Sequence, residues 1–233
     1  MPGSTPGQVS GDDLQLVEDK TLELVKEHNA FRANQFDRWS NAKAHYQGTA
    51  PEIWEQSLRT VTAFCDFVGT GGTFAGCAQF FKERQDQEDG ANKKIECVVV
   101  EPTGAAILAG QDIVRPNHRI QGGGYLMEDL PMLQNNKILN RTTQAAINAN
   151  DVDDDASHDE ILADRYLQVS DEEAIAVTRD LAKYEGIFGG YSAGANAAAA
   201  IQLLKTSQKK NGVVAILICD SGLKYLSTGL WEN

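Results

Sequence analysis

Apolar positions along the chain follow two rhythms. From Asp12 to His28, Leu14, Val17, Thr21, Leu24 and Val25 recur at helical spacing behind an acidic start, which predicts an amphipathic helix ending at Asn29. Short continuous apolar runs follow instead at "VTAFCDFV" (61–68), "KIECVVVEP" (94–102) and "VVAILICDSG" (213–222), and these read as buried strands. The Val-rich middle run suits a parallel strand covered on both faces. Helical period returns in "TFAGCAQFFKERQ" (73–85) and from Asp171 to about Glu185, where Ser170 and Glu173 form a capping-box pattern. "GIFGGYSAGANAAAAIQLLK" (186–205) repeats the order strand, tight turn, helix. Strands alternating with helices predict an α/β domain with a mainly parallel sheet.

Between Gln134 and Asp164 the pattern gives way to polar and acidic residues centred on "NANDVDDDASHDE" (148–160), which reads as an inserted surface excursion. Asp151, Asp153 and Asp155 begin like a calcium loop, but Ala156 stands where that loop turns on glycine and Leu162 where it needs a bidentate Glu. A solvated acidic loop is the expectation. The chain has 233 residues, enough for one large or two small domains, and a formal charge of -12. That charge and the lack of clustered Lys and Arg exclude a nucleic-acid surface. The longest apolar run, Val213 to Cys219, is far short of the roughly 20 residues of a membrane helix. Met1 to Ser4 does not begin a secretory signal, so a cytoplasmic location is expected, or an organellar one if sequence precedes Met1. Cys65, Cys77, Cys97 and Cys219 form no CxxC pair and predict buried free thiols. His28, His45, His118 and His158 stand apart in sequence, and no metal site is expected.

Candidate chemistry sits in Gly69-Thr70-Gly71-Gly72-Thr73, between a strand and a helix. Amides at a helix entrance lack partners and carry the positive end of the dipole, so a glycine-lined entrance can cradle a phosphate. The letters match neither a Walker loop nor the GxGxxG fingerprint, and a turn that only packs helix on strand would use the same ones.

Seven blocks occur in order: "NAFRANQF" with "AHYQGTAPEIWEQ", "GTGGTFAG", "VVVEPTGAAILAG", "HRIQGGGYL", "LQVSDEEAIAVTRDLAKYEGIFGGYSAGANAAAA" and "CDSGLKYLST". The series, from about Asn29 to Trp231, resembles the cysteine synthase and cystathionine β-synthase group of fold-type II pyridoxal-phosphate enzymes. The resemblance implies a tryptophan synthase β-like fold: residues 1–35 as a remnant of the small N-terminal domain and 36–233 as the large cofactor-binding domain, with the acidic insertion at about 134–164. It implies pyridoxal 5′-phosphate as cofactor, its phosphate held by Gly69, Thr70, Gly71, Gly72 and Thr73 and its ring nitrogen by Ser192. On letters alone Ser192 reads as the N-cap of the Ala-rich helix. Gly122 and Gly123 match a loop beside cofactor and substrate, and Gln35 a polar residue near the substrate carboxylate, although an ordinary surface Gln fits as well.

A neutral serine partner leaves the ring a weaker electron sink, which favours elimination and replacement at Cβ. The implied reaction converts O-acetylserine or serine, a small amino-acid substrate, to cysteine or a thioether, in a homodimer. The Schiff-base lysine in its Lys-Asp/Asn-Arg context, and the Ser-Gly-Asn-Thr-Gly loop, are absent from the sequence. Three explanations compete: a fragment of an ordinary enzyme, which is expected to be inactive alone; a genuine short cofactor-binding or regulatory protein; and a lysine recruited from elsewhere. Asp66 and Phe67 stand where the family has small residues, Ala50 where it has glycine and Cys219 where proline is common. The added nucleophile therefore stays open among sulfide, homocysteine and, in a desulfhydrase, water.

Overall fold

A computed structural model describes residues 11–87, 94–125, 127, 130–134, 162–206 and 211–232. Helix α1 (Gly11–His28) closes at Asn29, whose φ of 47° is left-handed. Helix α2 (Ser40–Ala44), a π-helical turn (His45–Thr49) and α3 (Ala50–Gln56) then form one continuous rod leading to β1 (Val61–Phe67). Next come α4 (Gly72–Gln87), β2 (Glu96–Pro102), the short α5 (Pro131–Gln134) and β3 (Arg165–Val169). Helix α6 (Asp171–Asp180), α7 (Tyr191–Leu204) and β4 (Val213–Ile216) complete the unit, with a 3-10 turn at Gly222–Tyr225. The four strands lie in the order β3-β2-β1-β4, every neighbouring pair parallel.

Period-two alternation divides β1 between two cores. Phe64 and Val68 face α4 with Phe74, Phe81 and Val99. Ala63, Cys65 and Phe67 face α7 with Val98, Val100, Tyr191 and Leu203. Helices on both faces explain why β1 and β2 read as unbroken apolar runs. Helix α7 lies unusually close to α6, because a Cβ on Gly194 would stand 2.0 Å from the Thr178 Oγ1 and 2.2 Å from the Ala174 carbonyl oxygen.

Local signals behave as their chemistry requires. Ser170 Oγ accepts from the Glu173 amide at 3.1 Å while the Glu173 carboxylate accepts from the Ser170 amide at 2.9 Å, the reciprocal capping box. Two expectations fail. No strand forms at Ile187–Phe188: α6 is prolonged by a π-helical turn (Leu181–Glu185) closed by Gly186 at φ 70°. The chain then reaches α7 with room only for an antiparallel bridge between Gly189 and Ser221. The last strand is not buried either. Among the described residues β4 pairs only with β1, at the sheet edge, and Val213 is 43% exposed. For the same reason Cys219, just beyond β4, is exposed, whereas Cys65, Cys77 and Cys97 are buried; all four are free thiols.

The acidic centre of the insertion, with the calcium-like Asp151, Asp153 and Asp155, lies outside the described residues. Its return is anchored: Leu162 is buried in the α4 core, and Asp164 accepts from the Cys97 amide at 2.9 Å and pairs with Lys94 at 2.6 Å. Among the described residues no helix is long and apolar enough to cross a membrane.

Candidate functional site

The loop after β1 is shaped by what its glycines lack. Gly71 takes φ 83°, a left-handed turn that swings the chain from the sheet into the first turn of α4. A Cβ on Gly69 would stand 2.6 Å from the Gly122 carbonyl oxygen, and one on Gly72 would stand 2.4 Å from the Asn41 side chain. Side chains at either place would push these neighbours out of the positions that shape the loop.

The second glycine segment packs against the first. Gly124 donates its amide to the Val68 carbonyl at 3.1 Å, and a Cβ on Gly123 would lie 2.3 Å from that same oxygen. His118, itself buried, supports this segment through a 2.9 Å hydrogen bond between Nε2 and the Gly124 carbonyl. Because a carbonyl only accepts, Nε2 carries the proton.

Ser192 completes the group. It is only 3% exposed, and its Oγ lies 3.6 Å from where a Cβ on Gly122 would stand. The N-cap of α7 is Gly190 and makes no side-chain cap bond, so Ser192, the second residue of the helix, is not the cap. Its hydroxyl hydrogen-bonds the Cys219 thiol, and Asn196 Nδ2, one turn further along α7, reaches the same sulfur at 3.8 Å and the Leu217 carbonyl at 3.1 Å. Gly69–Thr73, Gly122–Gly123 and Ser192 thus meet at the carboxyl ends of the parallel strands, where α/β sheets hold ligands.

The rod of α2 and its π turn backs the first loop. Asn41 Nδ2 donates to the Gln35 carbonyl at 2.8 Å and to Thr70 Oγ1 at 2.9 Å. Thr70 Oγ1 also accepts from the Gly72 amide at 3.3 Å. Four residues along, His45 bridges Thr49 Oγ1 at 2.9 Å and Thr73 Oγ1 at 3.1 Å, and partial burial lowers its pKa below 6.5. Gln35 therefore joins the site through its backbone, its side chain being exposed. Asn41 and His45 were not singled out from the sequence as site residues; their one-turn spacing on the face toward the loop was the available signal.

Two buried carboxyls flank the strand ends. Asp66 is 5% exposed, and burial raises its pKa from 3.8 to about 7. Glu101 is buried too, but each oxygen accepts one amide, Leu108 at 2.8 Å and Ala109 at 3.0 Å, which opposes the upward shift. Among the described residues no group of three His, Cys, Asp or Glu side chains could hold a metal ion.

A family profile described as pyridoxal-phosphate dependent enzyme matches residues 5–220. The chain belongs to this family. Cysteine synthase A of Escherichia coli is 32% identical over 205 residues, covering 85% of this chain and 53% of that protein. The crystal structure of cysteine synthase from Entamoeba histolytica superposes with a TM-score of 0.71 at 27% identity over 93% of this chain and 54% of its own. A hydrogen sulfide-producing enzyme from Fusobacterium nucleatum gives a TM-score of 0.69 at 33% identity over 91% of this chain and 60% of its own. The chain spans about half the length of the curated relatives it matches.

The family cofactor fits the residues present in two places. The entrance to α4 is lined by glycines and threonines, so main-chain amides and hydroxyls gather at a helix start without bulky side chains, as an anionic phosphate requires, and of these amides that of Gly72 donates to Thr70 Oγ1 at 3.3 Å. Ser192 offers a neutral, buried hydroxyl across the site.

Proposed function

We propose that this chain carries the cofactor-holding half of a pyridoxal-phosphate enzyme of the cysteine-synthase kind, acting on O-acetylserine or serine. The observation that carries the reading is the convergence of Gly69–Thr73, Gly122–Gly123 and Ser192 at the strand ends. When bound, pyridoxal phosphate serves as the electron sink that allows a β-substituent of an amino acid to leave. The amides and hydroxyls of Gly69–Thr73 hold its phosphate, and the Ser192 hydroxyl meets its ring nitrogen. To do so the hydroxyl would turn its one proton from the Cys219 sulfur to that nitrogen. Buried neutral serine cannot keep the nitrogen protonated, which favours elimination and replacement at Cβ. Gly122 and Gly123, lacking side chains, leave room for the substrate, with Gln35 at the side of its carboxylate.

The lysine that would hold the cofactor covalently and carry the proton at Cα has no counterpart of the right context in this sequence. On this reading the chain alone binds without turnover, and a homodimer is the assembly that the family resemblance implies. A second reading, a binding or regulatory protein without chemistry, draws on the same missing lysine.

Equilibrium dialysis with pyridoxine 5′-phosphate, which has no aldehyde and forms no imine, tests the core of the reading. Each charge-assisted hydrogen bond lost costs about 1.5–3 kcal/mol, so Gly72→Val should weaken binding at least about tenfold. Undiminished affinity in G72V would exclude the loop as the phosphate site. Pyridoxal phosphate itself should give no imine band specific to one lysine, and such a band abolished by a single Lys replacement would overturn the expected inactivity.

A further inference from the structure

We infer that Asn41 is a positioning residue for the phosphate, acting only through Thr70 by fixing which way the Thr70 hydroxyl points its proton. The inference rests on the proposed reading of the glycine loop and extends it to a residue outside the loop.

Asn41 Nδ2 sits 2.8 Å from the Gln35 carbonyl, which can only accept, so the atom at that position is the amide nitrogen. Its second hydrogen goes to Thr70 Oγ1 at 2.9 Å. The same oxygen accepts the Gly72 amide at 3.3 Å. A hydroxyl oxygen has two lone pairs and one hydrogen. Both lone pairs of Thr70 are therefore engaged from the protein side, and the hydrogen is left to point away from Asn41 and Gly72. Thr70 is only half-buried, so that direction can lead to a ligand. The hydroxyl is thus a committed donor that suits an anion and repels a cation or a donor group.

Without Asn41 the hydroxyl could turn its proton inward and present a lone pair to the phosphate. The amides of the loop would remain. Asn41 also fills the space beside Gly72, where a Cβ would stand 2.4 Å away, so its amide is held in register with the start of α4.

A double-mutant cycle tests this: Asn41→Leu, Thr70→Val and the double variant, titrated with pyridoxine 5′-phosphate and with pyridoxine, which lacks the phosphate. Charge-assisted hydrogen bonds set the scale, and Asn41→Leu should raise the phosphate-ester Kd about tenfold in the wild-type background and less than about twofold when Thr70 is already Val. Pyridoxine affinity should not change with Asn41, since a purely structural role would move both ligands together. Effects that add across the two positions, or an equal loss for both ligands, overturn the inference while leaving the phosphate site standing. Failure of the wild type to bind either pyridoxine 5′-phosphate or inorganic phosphate overturns the underlying reading and the inference with it. Should Leu at position 41 unfold the chain, Asn41→Ala removes the donor toward Thr70 without adding bulk or charge. Its loss of affinity must likewise shrink in the Thr70→Val background, and an undiminished loss counts against the inference.

Discussion

One carboxyl at the exit of β1 sets a pH dependence of its own. Asp66 carries a folded-state pKa of about 7 against 3.8 in its ordinary state, because burial penalises the anion. Between those values the folded chain binds more protons than the unfolded one, so this contribution to stability is complete below pH 3.8 and lost as pH rises through 7. The Asp66 charge in turn helps to push up the thiols of Cys65, Cys77 and Cys219. Asp66→Asn should remove that dependence, and urea unfolding at pH 5 and pH 8 should show it gaining on wild type with pH. Between those two pH values the gain has an upper limit of about 3 kcal/mol; a constant difference across that range would show that the carboxyl does not titrate in the fold. The departure at Asp66 was legible in the letters, but its burial was not, because it depends on α4 covering that face of the strand. Ser192 is the converse. Its place in a helix N-terminal segment was legible, yet separating cap from second residue depended on where Gly190 turns.

The elements themselves were mostly written in local chemistry. The end of α1 at Asn29, the capping box of α6 and the passage from β1 through glycines into α4 each depend on a few neighbouring residues. Where neighbours in space decide, sequence misled. "GIF" between glycines suits a strand, but the π-helical turn after α6 uses up the chain that would have formed it. β4 is as apolar as β2, yet nothing in its letters says that it has one neighbour instead of two. The contact between α6 and α7 is of this kind, invisible in "SAGAN" until Thr178 is seen beneath Gly194. Gly194→Ala should force the two helices apart at a cost of about 1–3 kcal/mol, read as a lower urea midpoint with unchanged slope. Gly48→Ala, with open space around the missing Cβ, is the control and should leave the midpoint unlowered. Equal midpoints for both variants would mean the helices yield freely.

The whole molecule carries more apolar surface than its acidic composition suggests. Leu16, Val17, Leu22 and Leu24 of α1 are 39–59% exposed, and Phe31 is 80% exposed. These lie in the segment assigned to the small domain, and relatives about twice as long have more chain with which to cover such a surface. We expect the chain to self-associate with concentration, and more so at high salt, where screening weakens the repulsion of its -12 charge. Val17→Glu with Phe31→Ser should suppress this in sedimentation velocity. Association that instead fades with salt would point to charged contacts.

The π-helical turn at His45–Thr49 holds one residue more than an α-helical turn would, and it lies between the pair that backs the glycine loop and the buried Ala50 and Trp54 of α3. Losing a single codon there would let the rod relax into ordinary α-helix with little rotation of its two ends, because one residue fewer at the tighter α-helical winding turns the chain about as far. Asn41 would keep its face toward Thr70. The same loss inside α2 after Asn41 would instead turn that residue by about 100° away from the loop, so the wide turn marks where the rod tolerates a change of length.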